Sequence, residues 1–194
     1  MIRIIEAAQQ PVQRWKNGGG STTQIVSYPS DASLDDFDWR VSMARMETDG
    51  PFSLFPGIDR TLAILQGDGV VLDIDGAGEI TITQLTPPAS FPGDRPTQAR
   101  LLGGPITDLN VMTRRGRYRH RLQSVAVNGI GTVILCADAT VALCLGDLDI
   151  RIGEKTRHLN SNDAAVLAGI GTITLSAKKT VPVWLVHIQA VTDA

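Results

Sequence analysis

The sequence predicts an all-β protein built as two fused jelly-roll-type β-barrels, and three observations carry that expectation. Short apolar or alternating runs are broken by glycine turns along most of the chain. Helical periodicity is confined to a turn or two at Ser33 to Phe37. One series of runs and turns recurs at an offset of about 70 residues, the mark of an internal repeat.

The elements follow in order. The opening MIRIIEAAQQPVQ has neither a basic start nor a long apolar stretch, and no window nears a membrane span, so a soluble cytoplasmic protein with no membrane partner is expected. Asn17-Gly18-Gly19-Gly20-Ser21-Thr22 then leads into a strand at Thr23 to Val26. Asp35, Asp36 and Asp38 form a solvated acidic rim. Pro51 to Arg60 reads as a loop rich in Pro and Phe, and Thr61 to Leu85 as a meander of antiparallel strands. Asp108 to Gly116 closes the first unit. In the second half, Thr132-Val133-Ile134-Leu135-Cys136 matches Thr61-Leu62-Ala63-Ile64-Leu65, and Asp163 matches Asp94. The expected boundaries are 1–116 and 117–194, with one long sandwich as the alternative.

Composition removes several function classes. The chain has 194 residues, 43% hydrophobic and 20% charged, which suffices for a core without disulfides or metals. A net charge of −2 gives no global field for nucleic acid or anionic lipid. The basic run Arg114 to Arg121 is better explained as a solvated edge strand, or one paired with local carboxylates, than as a polyanion strip. Cys136 and Cys144 lie in apolar runs and read as small core residues in a reducing compartment. A divalent metal needs at least three converging ligands, whereas His120, His158 and His187 are isolated, so neither a metal nor a cofactor is expected. No nucleophile elbow or nucleotide loop is present in the sequence.

Three segments remain. The triple glycine after Trp15-Lys16 can free backbone N–H groups for an anion, with Lys16, Asn17 and Thr22 adding donors, or it is a plain turn. Arg60 can clamp a carboxylate through its planar fork, or simply pair with Asp59. Asn110 and Met112 share one face of a strand. At these places the chain resembles the HutD/Ves family of bacterial proteins, through the blocks Trp15 to Thr22 (WKNGGGST), Phe52 to Leu62 (FSLFPGIDRTL) and Asp108 to Gly116 (DLNVMTRRG). The resemblance covers the first unit and says little about 117–194. It implies a bicupin. It also implies, for the branch encoded with histidine-utilisation enzymes, binding of a small acidic catabolite such as formylglutamate or urocanate that moderates the pathway; another branch is linked to environmental stress.

The combined expectation is a metal-independent sensor or regulator that binds a small carboxylate without turnover. Arg60 supplies charge, Lys16, Asn17, Thr22 and Asn110 supply donors, and Trp15 and Met43 supply apolar walls. The rival is a metal-free isomerase or epimerase, for which the first half offers Asp59, Glu47 and Lys16 as acid or base. A homodimer stays open.

Overall fold

A computed structural model of the chain describes residues 2–192. The strands are β1 (Ile2–Ile5), β2 (Val12–Arg14), β3 (Gly20–Tyr28), β4 (Trp39–Met46), β5 (Gly50–Pro51), β6 (Ile58–Gln66), β7 (Val70–Ile74), β8 (Gly78–Ile82) and β9 (Ala89–Pro92). They continue as β10 (Thr97–Leu101), β11 (Ile106–Arg114), β12 (Tyr118–Leu135), β13 (Ala139–Cys144), β14 (Leu148–Ile152), β15 (Lys155–Leu159), β16 (Ala164–Ala168) and β17 (Gly171–Ala190). The one helical element among the described residues is a 3-10 turn at Ala7–Gln9. No helix is long and apolar enough to cross a membrane. Residues 33–38 form turns fastened by Ser33, whose hydroxyl donates to Asp36 and accepts from the Asp35 N–H.

The chain divides into two compact units. One is Pro11–Tyr118, in which a six-stranded sheet (β2-β3-β4-β11-β6-β9) and a four-stranded sheet (β5-β10-β7-β8) are both antiparallel. Met46, Leu62, Ile64, Phe91 and Ile106 of the first sheet pack with Val70, Leu72, Ile74, Ile82 and Ala99 of the second, and this cluster is the core. Alternation along the strands selects those residues: one face of each strand is apolar, and burying it is the main stabilising contribution.

The other unit comprises the segment ending at Gln10 and the described residues from Arg119 on. Its sheet runs β1-β16-β13-β17-β14-β15, with β12 also paired to β17. Leu148, Ile150, Leu159, Leu167, Leu175 and Leu185 lie in its core. The first ten residues, which the sequence reading groups with 1–116, belong here because β1 pairs with β16 from Ile2↔Leu167 to Ile5↔Ala164. Asp163 fastens that connection: its carboxylate accepts the Ala7 N–H at 2.7 Å and the Asn160 N–H at 2.8 Å.

The two units share a pairing order. β6 pairs with β9 and β11, as β13 pairs with β16 and β17; β7 pairs with β8 as β14 pairs with β15. The counterparts therefore lie about 78 residues apart, and the Gly67-Asp68 turn corresponds to Gly146-Asp147. The offset near 70 is corrected: Thr61–Leu65 lies in β6, but Thr132–Leu135 ends β12, which has a different place in its sheet. Cys136 is likewise exposed rather than core, while Cys144 is buried.

Candidate functional site

The inner face of the six-stranded sheet changes character along its length. On β4 the inward residues run Met46, Ala44, Ser42, Arg40; on β11, Ile106, Asp108, Asn110, Met112; on β6, Ile64, Leu62, Arg60. One end is apolar core. The other end opens into a cavity of about 580 Å³, lined also by Gln13 to Asn17, Thr22, Leu34, Pro51 of β5 and the loop residues Phe52, Ser53 and Phe55.

Register arranges the polar groups in rows. Met112 lies between Arg40 on β4 and Arg60 on β6, so two guanidinium-bearing positions flank it, roughly 10 Å apart across two strand spacings. Asn110 lies beside Ser42, which pairs with Gln24 of β3, and Asp108 lies beside Ala44, which pairs with Thr22.

Arg60 is 5% exposed and surrounded by Phe52, Phe91 and Phe55, whose ring centroids are 4.8, 5.4 and 5.7 Å from its guanidinium carbon. These rings solvate the cation through their faces. A terminal nitrogen donates to the Ser53 carbonyl at 3.3 Å, but Nε is buried without a partner. Gly93 makes room for the stem, since a Cβ there would meet Arg60 carbons at 3.1 and 3.2 Å. Burial lowers the Arg60 pKa to about 10, with Asp108 opposing and Arg40 adding to the shift; the group stays charged at neutral pH. Arg40 is lowered too, by burial, and its Nε donates to Gln24 Oε1 at 3.1 Å.

Among the described residues, Asp108 is the single carboxylate of the lining. It is 2% exposed, and burial raises its pKa to about 7 against the opposing pull of Arg60. Its Oδ1 has no hydrogen-bond partner, nor does Oδ1 of Asn110. A cavity with two buried guanidiniums and one carboxyl that is half protonated near neutrality carries surplus positive charge, and an anion offsets it.

Six of the seven expected ligand residues line this cavity: Trp15, Lys16, Asn17, Thr22, Arg60 and Asn110. Trp15 Nε1 donates to the Thr22 hydroxyl at 2.8 Å, which fixes both and leaves the Thr22 proton available. Met43 is the exception. It alternates with Ser42 and Ala44, so it projects from the opposite face of β4.

The glycine cradle is also corrected. The Gly18 N–H donates to the Trp15 carbonyl and the Gly19 N–H to Asn17 Oδ1, so these groups close a turn instead of facing an anion. Gly20 serves packing: a Cβ there would sit 2.2 Å from the Arg45 carbonyl oxygen and 3.1 Å from the Trp15 ring. Asp59 does not pair with Arg60, because neighbours on a strand face apart; it pairs with Arg115 at 2.8 Å. Arg115 also holds Asp94 at 2.9 Å, and that ion pair lowers the Asp94 pKa. Glu47 pairs with Arg45 at the surface, so neither Asp59 nor Glu47 is among the lining residues.

Arg40, Ser42, Asp108, Phe52 and Phe55 are also among the lining residues and are not ligand residues in the sequence reading. The i, i+2 alternation that joins Asn110 to Met112 also reaches Asp108, and the same rule applied to Arg40, Ser42 and Ala44 finds the β4 side.

Comparison with known proteins places this architecture. A protein of Pseudomonas putida encoded in the hutC 3' region is 40% identical over 122 residues, 63% of each chain, so the match spans less than two thirds of that relative's length. The conserved protein PA5104 of Pseudomonas aeruginosa PAO1 superposes with a TM-score of 0.90 at 31% identity, covering 97% of this chain and 99% of that one. HutD from Pseudomonas fluorescens SBW25, solved in a formate condition, gives 0.81 at 29% identity, covering 99% and 100%. Cupin-fold structures below 10% identity share the fold alone. The profile of the HutD family matches residues 7–185, and the chain belongs to that family.

Proposed function

We propose that this chain is a metal-independent bicupin that binds a small carboxylate in the cavity of its Pro11–Tyr118 unit and acts in the cytoplasm as a sensor or regulator. The observation that carries this reading is Arg60: a buried, charged guanidinium packed among three aromatic rings, in the lining of the cavity, with no carboxylate hydrogen-bonded to it. Burying such a charge without an anionic partner is costly, and a carboxylate offsets it through charge-assisted hydrogen bonds. The shared pairing order of β6–β9 and β13–β16 supports the bicupin. Membership of the HutD family and the hutC-region relative support a place in histidine utilisation, with a formylglutamate- or urocanate-like acid as ligand.

Thermal unfolding in the presence of formylglutamate and urocanate tests the reading. Ligand at a hundred times its Kd stabilises by about 2.7 kcal/mol, and Arg60→Ala loses that stabilisation while still unfolding cooperatively. Unchanged stabilisation in the variant rejects Arg60 as the clamp.

Asp108 favours a second reading, a metal-free isomerase, since a buried carboxyl near pH 7 beside Arg60 suits proton transfer. Exchange of the ligand's Cα–H for deuterium in D2O, absent in Asp108→Asn, would favour it over simple binding.

A further inference from the structure

The basic run from Arg114 to Arg121 divides in two. Arg114 and Arg117 pair with Asp38, and Arg115 with Asp59 and Asp94, whereas Arg119 and Arg121 have no carboxylate partner among the described residues. These two lie on a face of β12 that leads into a core. Val125 and Val127 pack against the apolar cluster of their unit, and alternation puts Gln123, Arg121 and Arg119 on the same side, with exposure rising along the series.

The neighbouring strands continue this face. His187 of β17 and Thr140 of β13 are cross-strand partners on the side of Leu185 and Ala142, which are core. They take the places that Asn110 and Leu62 hold in the other unit, so the polar end of an inner face recurs, with a fully buried threonine where the first unit has a fully buried leucine. Gln123 Nε2 can only donate, which makes His187 Nε2 at 3.3 Å the acceptor; the Nδ1–H then donates to the Thr140 hydroxyl at 3.2 Å. Burial and the Arg121 charge lower the His187 pKa and keep the ring in this neutral form at pH 7 and above. Arg119 is oriented by Gln189, whose Oε1 accepts from Nε at 3.2 Å and from Nη2 at 2.8 Å. Asp138, just before β13, has its carboxylate engaged by the Ala190 N–H at 2.7 Å. Two guanidinium forks thus stand at the open end of the face, with a neutral amide and imidazole behind them, a set that suits a carboxylate.

We propose that residues 119–190 carry a second site for a small carboxylate, separate from the Arg60 cavity, in which Arg121 and Arg119 hold the anion and His187 lies at its floor. The exposure of both arginines sets a Kd on the order of 1 mM.

Titration of the full chain, labelled with nitrogen-15 in histidine, tests this at pH 8 with glutarate, and with chloride at equal ionic strength as control. The His187 imidazole signals are expected to shift saturably with glutarate and not with chloride, while those of His158, tied to Asp149 at the surface, stay fixed. The midpoint is expected to rise about fivefold or more in Arg121→Ala and to stay unchanged in Arg60→Ala. Arg121 is exposed, so its removal spares the core, and the wild-type titration decides the matter even if that variant does not fold. His187 signals that glutarate leaves in place, that chloride moves equally, or whose midpoint Arg121→Ala does not change overturn the second site. Loss of the response in Arg60→Ala assigns it to the first cavity and overturns the second site as well. The Arg60 reading is tested separately by thermal unfolding and stands or falls on its own.

Discussion

Replacing Asp108 with asparagine should stabilise the protein at pH 8 and do almost nothing at pH 3.5. The carboxyl titrates near 3.8 in the unfolded chain and near 7 in the folded one, because burial disfavours the ionised form more than Arg60 favours it. Between those values the folded state keeps a proton that the unfolded state has lost, so stability falls as pH rises through the window, and the full cost is present above about pH 7. A separation of roughly three pKa units at 1.36 kcal/mol each is a cost of about 4 kcal/mol. Asparagine has the same shape and no charge to desolvate, so Asp108→Asn recovers this cost. For a chain of this length the gain corresponds to a rise in Tm on the order of 10 °C at pH 8. Urea denaturation of both proteins at pH 3.5, 5, 6.5 and 8 reads the difference free of all other titrating groups, since they are common to both. A difference that does not grow with pH, or a variant less stable at pH 8, would refute the reasoning.

Two further predictions follow from the same geometry. Carboxylate affinity should be flat below about pH 6 and fall above 7 by up to about tenfold per pH unit, because ionised Asp108 repels the incoming anion despite Arg60, Arg40 and Lys16 around the cavity; Asp108→Asn flattens the profile, and calorimetry in buffers of different ionisation enthalpy should detect proton uptake. Gly20→Ala places a methyl 2.2 Å from the Arg45 carbonyl and against the Trp15 ring, so it should cost at least ~2 kcal/mol in denaturant unfolding and weaken acid binding by displacing Trp15 from the cavity wall.

Much of this site was legible because strand alternation is a local rule. Arg60 and Asn110 face one cavity for the same reason that Asp59 faces away. The same rule excludes Met43, whose apolar character suggested a wall its parity forbids. What alternation does not disclose is how far apart two strands lie in a sheet, and so the role of Asp108 became visible only once β4, β11 and β6 were aligned with Arg40, Met112 and Arg60 in one row. The repeat shows the complementary weakness. Apolar runs such as Thr61–Leu65 and Thr132–Cys136 are interchangeable by composition, whereas the turn between β7 and β8 is tied to a backbone conformation, with Gly76 at φ 69°, and its counterpart between β14 and β15 has Gly153 at φ 56°. The docking of β1 on β16 depends on a contact between distant segments, fastened by Asp163, which no local pattern encodes.

The most direct test is a crystal structure of the protein soaked with formylglutamate at pH 6.5. The account predicts the acid in the cavity of the Pro11–Tyr118 unit, with its carboxylate oxygens within hydrogen-bond reach of the Arg60 guanidinium. An acid bound only elsewhere, or bound in this cavity with its carboxylate turned from Arg60, would contradict it.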